Sequence, residues 1–413
     1  MSEVFKKAKK VKDASELLKL STTKEKNIAL SLIAEALYQR KEKILKNNEI
    51  DVMKARQKGF KESLIDRLLI NKKRVEEMIE ACHRIVNLRD PVGNVITSWK
   101  SKDLRISKIR VPIGAIGIIY ESRPNVTVDT VILSLKAGNS ILLRGGSDAL
   151  RSNIALVEAI KEGLNNSSIP DEAVEIIKDT NRELVDEMLH LNKFLSLMIP
   201  RGGSSLIKFV TENSTVPVLE TGVGNCHIFV DESADLEKSV KVIDNAKTQR
   251  PGTCNAVEKV LVHKNVSNDF LPRLFERLTE KNVEVRGCKR TCEIIEASQA
   301  NNDDWREEYL DYILAIKVVD SFDEAITHIL NYSSGHSEAI LTESIANAKK
   351  FADLIDSAVV YINASTRFTD GGQFGFGGEM GISTQKLHAR GPIGLEELTS
   401  YKYVILGNYE VRD

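Results

Sequence analysis

The first hundred residues carry a helical pattern. Thr22-x-x-Glu25 offers a capping box, after which Ile28, Leu32, Ile33, Ala36 and Leu37 recur at helical spacing between Lys/Glu-rich, solvated faces. From Gly93 the pattern changes. VGNVITSW and DLRISKIRVP predict two strands joined by the polar turn KSK, edge-like in composition. The closing segment YKYVILGNYEVR reads as another strand with little to cover it. Bare edges invite aggregation, and subunit contact is the economical explanation for keeping them.

Between residues 115 and 220 apolar runs and amphipathic segments alternate. AIGIIYE, NSILLR, AVEIIK, FLSLMIP and VPVLET predict strands; VTVDTVILSLKAG, SDALRSNIALVEAIKEGL, RELVDEMLH and GSSLIKFVTE predict helices. Repeated strand–helix units imply a parallel sheet covered on both faces, which binds ligands beyond the carboxyl ends of its strands. After Cys226 a second α/β block begins. It runs through HIFVDE, the helical ADLEKSVKVIDNAKTQ, AVEKVLVH, ILAIKVV, EAILTE and AVVYIN.

A length of 413 residues predicts two or three domains. With 58 basic and 59 acidic residues the formal net charge is −1, so no overall field favours nucleic acid or an anionic membrane. The N-terminus lacks a signal-peptide core, and the longest apolar stretch, VPIGAIGIIY, is too short to span a bilayer. Five scattered cysteines, Cys82, Cys226, Cys254, Cys288 and Cys292, suit a reducing cytoplasm. Cys288-x3-Cys292 has no second ligand pair nearby, so no metal site is expected; the pair reads as the start of a surface helix.

Two strand ends, LLRGGSDA and IPRGGSSL, carry glycines ahead of a helix, with Arg144 and Arg201 beside them. Glycine lets backbone N–H groups approach an anion and a helix N-terminus favours it, although neither turn is a GxGxxG or a P-loop. In QRPGTCNAVEKVLVH a single cysteine, Cys254, sits between a Pro-Gly turn and a buried strand, beside Arg250. Either an inert core residue or an exposed nucleophile fits that context.

Several stretches decide between them. IRVPIGAIGIIYESRPNVTVD, KAGNSILLRGGSDA, TQRPGTCNAVE, YINASTRFTDGGQFGFG and STQKLHARGPIGLEELTSYKY resemble the gamma-glutamyl phosphate reductases, also called glutamate-5-semialdehyde dehydrogenases, a branch of the aldehyde dehydrogenase superfamily. The resemblance runs the length of the chain. It implies an α/β, aldehyde-dehydrogenase-like fold: a Rossmann-like NADP(H)-binding domain over 1–92 and 112–228, a catalytic domain over 229–365 with Cys254, and an oligomerisation ribbon over 93–111 and 396–413. Residues 366–395 would return to the cofactor domain. A cytoplasmic homo-oligomer is expected, with no nucleic-acid or membrane partner. No kinase domain precedes the match, so pairing would be with a separate glutamate 5-kinase.

The implied reaction reduces L-glutamyl 5-phosphate with NADPH to L-glutamate 5-semialdehyde, NADP+ and phosphate, the second step of proline biosynthesis. A hydride does not readily reduce a carboxylate, whereas an acyl phosphate is an activated carboxyl. The resemblance makes Cys254 the nucleophile that forms a thioester and Asn125 the amide donor to the carbonyl oxygen, with the Cys254 backbone N–H as second donor. A helix end, the cofactor's charge or Arg250 could activate the thiol. Arg144, Gly145, Gly146 and Ser147 match the stretch beside the adenosine ribose; Gly202, Gly203 and Ser204 match the pyrophosphate turn. Glu308 is either the glutamate on the nicotinamide-side ribose or an exposed helix carboxylate. Arg123, Ser365, Thr366 and Arg367 are candidates for binding the substrate's anionic groups, the arginines alternatively forming structural ion pairs. Glu220 occupies the place of the water-activating base of hydrolytic relatives, a step this reaction does not need. The rival readings are a hydrolytic aldehyde dehydrogenase on another small aldehyde and a cysteine acyltransferase without nicotinamide cofactor; the latter needs a histidine base, and only His227 and His263 lie near Cys254 in sequence.

Overall fold

A computed structural model describes residues 1–121 and 123–412, the side chain of Ser63 excepted. Ser122, within the ESRPN segment, and Asp413, at the end of the expected ribbon, lie outside the described residues. The chain divides into two units: Met1–Thr221 with Gly375–Gly381 and Ile393–Asp413, and Gly222–Phe374 with Ile382–Pro392.

The first unit is built on a parallel sheet in the spatial order Val174–Ile176, Ser140–Gly145, Ala115–Tyr120, Leu197–Arg201. Ala115–Tyr120 is first in sequence yet lies inside the sheet, so the chain leaves it towards one neighbour and later returns to the other side. That reversal opens a crevice beyond Tyr120 and Arg201, where such sheets take their ligands. Residues 216–221, expected as a strand, make only the isolated bridge Val218–Met198. Pro217, without an N–H, cannot donate to a ladder, although its carbonyl accepts from Met198 N.

Of the N-terminal helices, Glu3–Leu18 packs on this sheet, while Thr23–Gln39 packs on the helices Lys72–Asn87 and Leu150–Asn165. Thr23–Gln39 opens with the expected capping box: Glu25 N donates to Thr22 Oγ1 and Thr22 N to Glu25 Oε2. Its buried face is displaced from the apolar stripe. Lys26, Ala29 and Leu30 are inside and Ile28 is 45% exposed. Lys26 can be buried because its ammonium meets Asp90 at 2.6 Å. Gly163 brings the helix Leu150–Asn165 so close that a Cβ there would lie 2.7 Å from Ile33 Cα. A separate antiparallel sheet of Val95–Ser101, Leu104–Pro112 and Thr399–Leu406 leaves Trp99, Tyr401, Tyr403 and Ile405 partly in solvent.

The second unit holds a seven-stranded parallel sheet. Its order is Ser298–Gln299, Glu284–Gly287, Ile313–Val319, Val257–His263, Cys226–Val230, Ser337–Leu341, Val359–Ile362. Val257–His263 is buried along its whole length because both faces are covered. Val260 and Val262 pack with the helices Leu236–Thr248 and Lys264–Thr279, while Leu261 packs on the opposite side with Phe229, Ile326 and Phe351. Cys288 caps a short helix, Lys289–Ile294, as its spacing with Cys292 suggested. Among the described residues no group of side chains is arranged to hold a metal ion, and no helix is long and apolar enough to cross a membrane.

Candidate active site

Cys254 lies half-buried on the turn between the helix Leu236–Thr248 and the strand Val257–His263. Pro251 and Gly252 break the helix, and Ala256 N closes the turn on Thr253 O. The site therefore stands at the amino ends of the strands of this sheet, not at the carboxyl ends. The helix arrives by its C-terminal end, whose partial charge opposes a thiolate, so that helix end is not the activator. The positive groups at the turn are arginines. Arg367 is held in an electrostatic neighbourhood that includes Arg250 and Cys254, and burial, then Arg250, lower its own affinity for a proton.

The layer beneath Cys254 was not legible in the sequence. Gly224 runs so tightly under the turn that a Cβ there would lie 1.5 Å from the Cys254 carbonyl oxygen. Gly224 N donates to Glu308 Oε1 at 2.7 Å, and Asn225 is tied through Nδ2 to the carbonyls of Trp305 and Tyr332. The buried thiol of Cys226 donates to Cys254 O at 3.1 Å; burial pushes this thiol well above its ordinary range, so it stays a neutral donor. Behind it follow His336, Ser337, Thr369 and Tyr361, linked Nδ1 to Oγ at 2.8 Å, Oγ to Oγ1 at 2.7 Å and Oγ1 to OH at 2.8 Å. Two glycines ahead of a cysteine in TGVGNC were the available signal. The meaning of the second, Gly224, depends on a partner 30 residues away, Cys254, and that of the first, Gly222, on the more distant Thr384. Of the histidines near in sequence, His227 is fully buried and held neutral, its affinity for a proton lowered by burial, and His263 caps the helix Lys264–Thr279.

Three of the expected substrate residues fold onto the same turn. Arg367 Nε donates to Gln249 Oε1 at 2.8 Å, and its Nη1 donates to Thr253 Oγ1 and to Asn255 Oδ1. Ser365 Oγ accepts from Arg367 N, and Thr366 Oγ1 donates to Asn255 O at 2.7 Å. Thr366 is fully buried, so its expected contact with substrate is replaced by a bracing role. Arg367 keeps one edge of its guanidinium for neutral oxygens of the turn rather than for a carboxylate.

In the first unit, Asn125 opens the helix Asn125–Lys136 just beyond Tyr120, exposed, with Nδ2 donating to Asp129 Oδ2 at 3.1 Å. Arg123 is half-buried and its carbonyl accepts from Val126 N. Across the crevice, Gly202, Gly203 and Ser204 are exposed at the start of the helix Ser204–Asn213. Glu121 Oε2 accepts from Gly203 N at 2.8 Å, and a Cβ on Gly202 would meet that oxygen at 2.4 Å. The turn thus already holds an anionic oxygen, which fits its expected use for a pyrophosphate.

Arg144 is the last residue but one of the strand Ser140–Gly145, half-buried and donating to the carbonyls of Gly145 and Thr180. Burial and the neighbouring Arg182 lower its affinity for a proton, so this corner is a cation surplus suited to a phosphate. Gly146 and Ser147 lie beside it, Ser147 exposed. Gly145 is different: it is buried, and a Cβ there would strike Asn153 Nδ2 at 2.2 Å, so internal packing accounts for this glycine. Glu308 lies half-buried in an irregular segment, not on a helix, which removes its reading as an exposed helix carboxylate. Glu220 is half-buried beside Thr221, whose hydroxyl donates to Pro200 O.

The aldehyde dehydrogenase family model matches residues 1–302 and 284–404. A gamma-glutamyl phosphate reductase of Kosmotoga olearia is 63% identical over 413 residues, covering 100% of both chains. The crystal structure of gamma-glutamyl phosphate reductase from Thermotoga maritima superposes with a TM-score of 0.97 at 63% identity, again over 100% of both chains. An engineered glycolyl-CoA reductase with bound NADP+ shares the fold at 16% identity and a TM-score of 0.72, over 98% of this chain and 96% of its own.

Proposed function

Because this chain belongs to the aldehyde dehydrogenase family, and within it to the gamma-glutamyl phosphate reductases, we propose that it reduces L-glutamyl 5-phosphate to L-glutamate 5-semialdehyde and phosphate through a thioester on Cys254. It is an oxidoreductase with a nicotinamide cofactor, which we assign as NADPH. The observation that carries the reading is the Cys254 turn: a half-buried thiol beside arginines, its carbonyl pinned by Gly224 and Cys226.

The thiolate attacks the acyl carbon, a C–S bond forms, and phosphate leaves as the C–O bond breaks. When bound, the reduced nicotinamide supplies the hydride that the thioester carbon takes up. The thiohemiacetal oxyanion on Cys254 then collapses, breaking the C–S bond and releasing aldehyde and thiolate. In both steps negative charge gathers on the former carbonyl oxygen. Asn125 Nδ2 and the Cys254 backbone N–H are its assigned donors, each typically worth about 3 kcal/mol of barrier. Arg123 and Arg367 supply positive charge for the substrate's carboxylate and phosphoryl group.

Arg144 with Gly146 and Ser147 is assigned to the 2′-phosphorylated ribose, Gly202, Gly203 and Ser204 to the pyrophosphate, and Glu308 to the other ribose. The first unit is assigned to cofactor binding and the second to catalysis. The three-stranded sheet, with Trp99, Tyr401 and Tyr403 exposed, supports self-association as its role. Pairing with a separate glutamate 5-kinase would shorten the path of a labile acyl phosphate.

The test runs the reaction backwards with the cyclised semialdehyde, NADP+ and inorganic phosphate, following reduced-nicotinamide absorbance. A signal is expected with the complete mixture and none without phosphate or with Cys254→Ala. Turnover that ignores phosphate would replace this reading with a hydrolytic one.

A further inference from the structure

The carboxamide of Asn125 has two ends of nearly equal size and opposite chemistry, and only the nitrogen end can donate to a substrate oxygen. On the exposed first turn of a helix, no backbone group of the described residues is hydrogen-bonded to this carboxamide to choose between them. Asp129, one helical turn on, does: its Oδ2 receives Asn125 Nδ2 at 3.1 Å. An ionised carboxylate only accepts, so it admits the NH2 end and turns the amide oxygen away. One N–H is consumed and the second remains for another acceptor.

We propose that Asp129 is a positioning residue that fixes the flip of the Asn125 carboxamide and so keeps an N–H directed to the substrate's carbonyl oxygen. This rests on the assignment of Asn125 as oxyanion donor. The surroundings suit the task. Arg201, at the end of the strand Leu197–Arg201, and Arg84, on the helix Lys72–Asn87, act on Asp129 with opposite charge and offset its own. Cys82, on that same helix, also feels Asp129; burial first, then Asp129, push its thiol up to about 12, so it contributes no charge. Burial pushes Asp129 itself up to about 6 against the pull of Asn125, Arg201 and Arg84. Below that pH the carboxyl gains an O–H, can donate to the amide oxygen of Asn125, and no longer selects one flip.

The experiment compares kcat and KM across pH for the wild type, Asp129→Leu, Asp129→Asn and Asn125→Ala, with the same substrate and thermal melts of each. Asp129→Leu is expected to lower kcat roughly 10- to 100-fold with KM within about twofold, as misplacement of a donor does. Asp129→Asn keeps the shape but accepts either flip, so it should lose only a few-fold and should lack the acid limb near pH 6 that the wild type shows. Asn125→Ala combined with Asp129→Leu should be no worse than Asn125→Ala alone. If Asn125→Ala is harmless, the donor assignment itself falls. If Asn125→Ala is damaging while Asp129→Leu keeps wild-type kcat, or Asp129→Asn keeps the acid limb, the positioning role falls alone.

Discussion

At the scale of single residues, the chemistry divides into groups that touch substrate and groups that hold them. On the proposed mechanism Cys254 is the first kind. Cys254→Ser should keep the melting temperature and lose at least about three orders of magnitude in kcat, since the oxygen nucleophile is far weaker at neutral pH. Asn125→Ala should cost about 100-fold in kcat, the usual worth of one oxyanion donor, measured at saturating substrate. Glu121 is a third case: its carboxylate sits on Gly203 N, where the cofactor's anion is assigned. Glu121→Gln should tighten NADP+ binding in calorimetry by removing a competing negative charge. Unchanged or weaker binding would mean that the cofactor's phosphates lie elsewhere.

At the scale of elements, glycines separate structural from ligand-facing turns. Gly224→Ala would drive a methyl into the Cys254 carbonyl, and backbone cannot give way as a flexible side chain does. Overpacking of that kind typically costs about 1–3 kcal/mol or more, and here it should also slow alkylation of Cys254 by iodoacetamide. Gly203→Ala meets nothing nearer than Glu121 Oε2 at 3.9 Å, so it should fold normally and only weaken cofactor binding. The strands and helices themselves were largely readable, because 3.6- and 2-residue periods and the glycine–proline breaks report local geometry. Residues 216–221 were misread because their apolar run hid Pro217, and Ile28 because the burial of Lys26 depends on Asp90, far away in sequence. The site was legible where a motif is contiguous, as around Cys254. It was illegible where one residue matters through another, as with Gly224 and Cys226.

At the scale of the whole molecule, the second unit carries a buried group of histidines that ties stability to pH. Burial lowers His336 to about 4 and holds His227 and His328 lower still, against an ordinary value near 6.5. All three are neutral when folded and take up protons when unfolded. Their contribution is therefore fully present above about pH 6.5 and is lost as pH falls toward their folded values, by up to about 1.4 kcal/mol per pH unit for each. Thermal melts from pH 7.5 down to 5 should show a falling midpoint, and His336→Asn should flatten the slope. The central claim is covalent chemistry at one sulfur, and it is tested most directly by trapping. The protein is mixed with the semialdehyde and NADP+ without phosphate, quenched in acid, digested and weighed by mass spectrometry. The account predicts a glutamyl thioester on the peptide carrying Cys254, discharged when phosphate is added before the quench. A modification confined to another cysteine, or active turnover with Cys254 never acylated, would contradict it.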